Sequence, residues 1–380
     1  MAQPILARLV TPTRSVAGWP LLVGLSLLAL VGALGNAWDL YWHIVIGRDT
    51  FWIPPHAMMY SAVALSGLAA AVVVVGDTAR GAADGEVTTI LGLRAPLGIF
   101  VLGAGALQMV VSAPFDDWWH RVYGVDVTVW SPPHLVGFSG AITMLSGLII
   151  AVCAERQRSL HARPGQQRAV FWLVALLFAL VVRWITFLNS TTLQLSWQLR
   201  EAEYAVAGPW APWWGLWASL FVGWTLVASA RCWPGRQARL PLAVLGLVLV
   251  LRALEFVVSA VGFALVLPWG VQTLRRPFVP LFDWDLGLWV TTLVLVLPTT
   301  VLVALTTAGR AWTTLRFGVV AGFVWGGLLA LQFLLLLPVF GLASLDLPMH
   351  GQVILVATLA GLVGGVIGAA QGDWLARFRR

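Results

Sequence analysis

Long apolar runs, broken by short stretches rich in polar residues, glycine or proline, cover the chain from one end to the other. They fall at 16–38, 57–76, 93–114, 134–154, 169–189, 206–229, 240–267, 286–307, 317–341 and 352–371. Each is about 20 residues or more, the length a helix rising about 1.5 Å per residue needs to cross about 30 Å of hydrocarbon. The pattern predicts an all-α integral membrane protein of about ten transmembrane helices.

Composition agrees with this reading. Of 380 residues, 59% are hydrophobic and only 10% charged, where a soluble domain carries about a quarter charged residues; the mean hydropathy is +0.87. Every basic residue is arginine. With ten spans, one side of the membrane holds Arg8, Arg14, Arg80, Arg94, Arg156, Arg158, Arg163, Arg168, Arg231, Arg236, Arg239, Arg310, Arg316, Arg377, Arg379 and Arg380. The other side holds Arg48, Arg121, Arg200, Arg275 and Arg276. The positive-inside rule then places both termini in the cytoplasm. The formal net charge of +7 follows from topology and carries no nucleic-acid signal; the basic run from Glu155 to Arg168 reads as a cytoplasmic anchor loop.

The first apolar run is too long for a signal h-region and leads straight into a polar motif, so no cleavable signal peptide is expected. Cys153 and Cys232 fall at the cytoplasmic ends of the fourth and sixth spans, in no CxxC pattern, and a disulfide is not expected. Many of the 22 tryptophans, such as Trp197, Trp210, Trp213, Trp214 and Trp217, cluster near the outer boundary as an interfacial belt.

The chemistry is concentrated in an internal repeat. Residues 38–56 read WDLYWHIVIGRDTFWIPPH and residues 115–134 read FDDWWHRVYGVDVTVWSPPH. Asp39 matches Asp116, Trp42 matches Trp119, His43 matches His120 and Gly47 matches Gly124. Asp49 then matches Asp126, Trp52 matches Trp130, and Pro54-Pro55-His56 matches Pro132-Pro133-His134. Each copy joins an outgoing span to an incoming one, so the first four helices form a tandem duplicated helical hairpin. This divides the chain into a four-helix region, 1–160, and a six-helix region, 161–380.

Asp39 and His43, like Asp116 and His120, are four apart and share one helical face. The Pro-Pro pairs suit helix starts, which puts His56 and His134 in the first turn of the returning helices. A short hairpin can then bring one carboxylate and two imidazoles together in each copy, at the extracytoplasmic boundary. Such a donor set suits copper, zinc, iron or nickel, and the lack of thiolates argues against a structural zinc site. Asp49 and Asp126 are placed to orient a ligating ring, and Asp117 is a candidate partner or substitute ligand in the second copy. A single histidine at a helix end is most simply interfacial. Four of only six histidines in matched positions, each with the same Asp, favour metal binding. His161 falls in the basic cytoplasmic loop, and His350 is a weaker outer-side candidate.

At these residues the sequence resembles the C subunit of the copper membrane monooxygenases, the particulate methane and ammonia monooxygenase family. That subunit has D-x-x-W-H, then R-D-T, then P-x-H; here Asp39, Trp42, His43, Arg48, Asp49, Thr50, Pro54 and His56 supply the pattern. The resemblance implies Asp39, His43 and His56 as copper ligands. Asp116, His120 and His134 look like the family's second site, with Asp where the family has Asn. The likeness spans the two hairpins only, and does not reach the last six helices.

In the seventh span Arg252 and Glu255 lie three residues apart near the bilayer centre and should form an intramembrane ion pair, with Arg183 close enough in depth to join it or to snorkel. Outer-loop Glu201, Glu203, Asp283 and Asp285 have no assigned partner. The expectation is a copper-binding oxidoreductase of a bacterial-type inner membrane, monooxygenase-like, acting with O2 on a small apolar substrate and with partner subunits or an electron donor. Metal transport or handling, a b-type haem cytochrome and a non-catalytic membrane subunit are the alternatives.

Overall fold

A computed structural model describes residues 14–46, 52–83, 87–124, 129–159, 164–198, 211–233, 239–267, 291–339 and 347–377. Among these residues, eleven α-helices carry the fold: α1 (Trp19–Val45), α2 (Pro54–Ala79), α3 (Leu97–Tyr123), α4 (Pro132–Ser159), α5 (Pro164–Gln198), α6 (Ala211–Trp217), α7 (Gly223–Cys232), α8 (Leu240–Val266), α9 (Val296–Ala308), α10 (Thr314–Val339) and α11 (Leu347–Arg377). Among the described residues, nine helices are long and apolar enough to cross a membrane. The remaining expected span, the sixth, is present as a composite: α6 and α7 are joined through a π-helical segment, Ala218–Val222, so 211–232 is helical throughout. The chain is an all-α integral membrane protein.

Helices pack in lipid by bringing backbones close, because apolar side chains gain nothing by leaving one hydrocarbon for another. Glycine ladders do this here. On α3 and α4, a methyl added to Gly105 would lie 2.4 Å from the Met144 nitrogen, and one on Gly147 would lie 2.4 Å from the Leu102 nitrogen. On α11, Gly361 and Gly365 face Gly318, Gly322 and Gly326 of α10, while Gly364, Gly368 and Gly372 face Leu220, Trp224 and Ala228 of the composite span. The repeat pairs α1 with α2 and α3 with α4, and α1 and α4 also pack on α5. Helix α8 lies against both α1 and α5.

Three details depart from the sequence reading. The third apolar run does not start as a helix. Its first residues form a strand, Leu93–Pro96, paired antiparallel with Val87–Ile90 across a turn in which Leu91 and Gly92 have φ of 51° and 82°, the type I′ geometry that matches strand twist. Helices α1 and α3 run past the expected ends of their spans, to Val45 and Tyr123, and so carry the polar motifs as helix. Arg156, expected in a solvated anchor loop, is buried; its guanidinium donates to the carbonyls of Cys232, Leu375 and Ala376, tying the ends of α7 and α11 to α4. Both cysteines are free thiols and buried.

At the same end of the bundle, Asp77 of α2 is fully buried. It accepts from the Val16 amide at 2.9 Å and from Arg80 at 3.2 Å, and the Ser15 hydroxyl donates to its other oxygen. The chain entering α1 is thereby pinned to the end of α2. Asp77→Ala strands these donors, and a cost of about 1–3 kcal/mol is expected; a thermal melt of the detergent-solubilised protein unchanged from wild type would contradict this.

Candidate metal centres

The donors of the first repeat are set by two helix ends. Asp39 and His43 stand on the last two turns of α1, whose extension beyond the apolar run keeps them on one face. Pro54 opens α2 from the extended residue Ile53, so His56 occupies the first turn as its third residue. The His43 and His56 Nε2 atoms lie 3.4 and 3.0 Å from the same oxygen, Asp39 Oδ1. In the second repeat the His120 and His134 Nε2 atoms lie 3.1 and 3.2 Å from Asp116 Oδ1. The two imidazole centroids are 6.1 Å apart in the first site and 6.3 Å in the second, with ring planes at 60° and 58°. The copies are the same object built twice.

These distances bear on metal binding. In each triad the three donor atoms lie within 4.8 Å of one another. Metal–ligand bonds of about 2 Å in a tetrahedral site put neighbouring donors about 3.3 Å apart, close to the Nε2–Oδ1 separations seen here. Asp39 Oδ1 is buried, with the two imidazole nitrogens 3.4 and 3.0 Å from it. Three donor atoms this close to one another fit a common centre, so the residues present suit a bound cation. Three donors leave a position open.

Access differs between the copies. In the first, the α2 histidine is nearly closed off (His56 side chain 10% exposed) and the α1 histidine is the more open (His43, 34%). In the second the order reverses: His120 of α3 is 8% exposed and His134 of α4 is 31%.

The surroundings differ too. Trp42 stacks on Phe263 of α8 at 6.0 Å, and Trp38 meets both rings edge-on. Gly262 makes this possible, since a methyl there would lie 2.5 Å from the Trp38 ring. Phe263 of the six-helix region therefore packs against two tryptophans that neighbour Asp39 and His43 on α1. Around the second, Trp119 packs on Tyr123 of its own helix at 4.4 Å, and Trp130 meets Trp217 of α6 at 5.5 Å.

Of the other residues singled out in the sequence, Asp117 turns away: it pairs with Arg121 at 2.7 Å, both largely exposed, and is not a donor of the second triad. Helical geometry explains this, since the residue after Asp116 is rotated about 100° from it. Asp49, Asp126, Arg48, Thr50, His161, Glu201, Glu203, Asp283 and Asp285 lie outside the described residues. His350 stands in the first turn of α11, half-buried, and joins neither triad. Arg252 pairs with Glu255 at 2.9 Å, and Arg183 joins them through Glu255 Oε1.

The sequence reading missed Asn36, Tyr60 and Gly262. Asn36 accepts from Arg183 Nη1 at 2.9 Å, and Tyr60 meets His56 edge-on at 6.0 Å. The repeat offset held a signal for the first two. It pairs Asn36 with Ala113 and Tyr60 with Phe138, so these are places where the copies differ beside matched ligands.

No protein-family model, no curated protein and no solved structure matches this chain.

Proposed function

We propose that the chain is a copper-binding membrane oxidoreductase in which Asp39, His43 and His56 hold one ion and Asp116, His120 and His134 a second. The observation that carries this reading is the duplicated triad, with matched Nε2–Oδ1 separations of 3.0–3.4 Å. Imidazole with a carboxylate and no thiolate suits copper, and the resemblance of the first hairpin to the copper membrane monooxygenases supports the same metal. Bound copper would supply one-electron redox chemistry and an open position for O2. The chain's own residues fix the donor geometry, neutralise part of the ion's charge through Asp39 and Asp116, and line the approach with apolar helices that a small hydrophobic substrate can cross. An electron donor and partner membrane subunits complete the reaction. The arginine distribution supports a bacterial-type inner membrane with both termini in the cytoplasm and the triads on the opposite face.

A metal-handling role uses the same donors without turnover. It is favoured by the third-exposed imidazole in each triad, through which an ion can exchange. The haem alternative fits less well, because the carboxylate oxygen sits between the two imidazoles where a porphyrin would pass. Two measurements separate these readings. Purified protein is expected to carry two copper ions per chain, and to consume O2 above background when given a reductant and a short-chain hydrocarbon. Copper without O2 consumption would leave metal handling; no copper would sink both.

A further inference from the structure

A buried cluster of unequal charge is linked to the helix that carries two donors of the first triad. Arg183 of α5 and Arg252 and Glu255 of α8 are all buried. Glu255 bridges the two arginines, and Arg252 also donates to Thr186 at 2.8 Å. Guanidinium groups do not deprotonate in proteins, so two of them against one carboxylate leave a net charge of +1. Arg183 faces Trp184 and Phe187, with its guanidinium carbon 4.7 and 5.3 Å from their ring centroids, contacts that soften the excess charge without cancelling it.

This charge is wired to the first triad. Arg183 Nη1 donates to Asn36 Oδ1 at 2.9 Å. Asn36 precedes Asp39 by three residues and His43 by seven on α1, a rise of about 4.5 and 10.5 Å along one helical face. At the matching place the second copy has Ala113, although α4 still meets the rings beside Arg183, Phe138 packing on Trp184 and Phe187 at 5.2 and 5.6 Å. The ion pair beside the second triad, Asp117–Arg121, is neutral overall and largely exposed, so solvent screens it.

We propose that the buried Arg183–Glu255–Arg252 cluster sets the electrostatics of the first triad, lowering its affinity for a divalent cation and favouring the lower oxidation state there. The proposal rests on both triads binding metal, and holds for any divalent ion. A unit charge about 10 Å from a divalent ion, at an effective dielectric of about 20, changes affinity by roughly a hundredfold. For a one-electron reduction the same charge acts once, about tenfold, or about 59 mV.

The test varies the charge of the cluster in both directions. Zn2+ affinity is measured by chelator competition on full-length protein in detergent. The His120→Ala/His134→Ala protein keeps only the first triad, and the His43→Ala/His56→Ala protein only the second. Arg252→Met removes the excess charge and is expected to tighten the first site at least tenfold. Glu255→Gln doubles the excess and should weaken that site by a similar factor. A cluster that serves packing alone would weaken the first site in both variants; that result, or no response in either, overturns the proposal and leaves metal binding standing. If neither single-triad protein binds Zn2+, metal binding itself fails and the proposal with it. Should Glu255→Gln not yield folded protein, Arg252→Met decides, because tighter binding cannot come from a damaged fold.

Discussion

Replacing His43 and His120 together with alanine is expected to strip the purified protein of bound metal, while either change alone removes one equivalent. Each imidazole is one of three donors around a shared carboxylate oxygen, at 3.4 and 3.1 Å from it. Losing partners that merely orient a ligand costs about 10–100-fold in metal affinity; losing the ligand itself costs more, and leaves two donors where three were needed. The residues lie at helix ends and are not core packing, so the variants should fold. Elemental analysis of wild type and the three variants in parallel gives the answer. Unchanged metal content in the double variant would remove the assignment of both triads, and loss of both ions from a single variant would show that the sites are not independent.

The second large effect concerns the bundle. Gly365→Leu is expected to prevent normal assembly of α10 against α11. Even a methyl at this position would lie 2.4 Å from the Gly318 oxygen and 2.5 Å from the Gly322 Cα, and 2.8 Å from the Gly322 nitrogen. All three are backbone atoms of a regular helix, so no side chain can swing away and the helices must separate. Overpacking of a core by a few methylenes costs about 1–3 kcal/mol; displacing two helices along a shared ladder exceeds that range. Gly351 on the same helix has nothing within 4 Å of an added methyl. Gly351→Ala should therefore match wild type in a thermal melt, and Gly365→Leu should melt far lower or fail to reach the membrane. Equal melting of the two variants would contradict the ladder.

The class of the fold was legible because bilayer thickness writes itself into run length; the sixth span lost its identity as one helix only through the π turn at Ala218–Val222. The triads were legible for a different reason. Asp39 and His43 sit at helical spacing, Pro54-Pro55 starts a helix, and duplication states the pattern twice. The strand at Leu93–Pro96 was hidden because four apolar-leaning residues next to a span read as part of it. Depth in the membrane already offered Arg183 as a partner of Arg252 and Glu255, which it joins through Glu255. Its link to Asn36, 147 residues away in sequence, was hidden, because tertiary packing alone brings the two together. Asp117 illustrates the opposite failure: adjacent in sequence to a ligand, it is turned by the helix toward solvent.

The reversal of histidine exposure between the copies has a kinetic meaning. Donor chemistry cannot tell one triad from the other, because both offer the same three atoms. The doors can. The more exposed imidazole is that of α1 in the first triad and that of α4 in the second, so an ion reaching the proposed sites would meet each from a different helix. Duplication supplied two identical locks, and the packing of the bundle then hung them on opposite hinges.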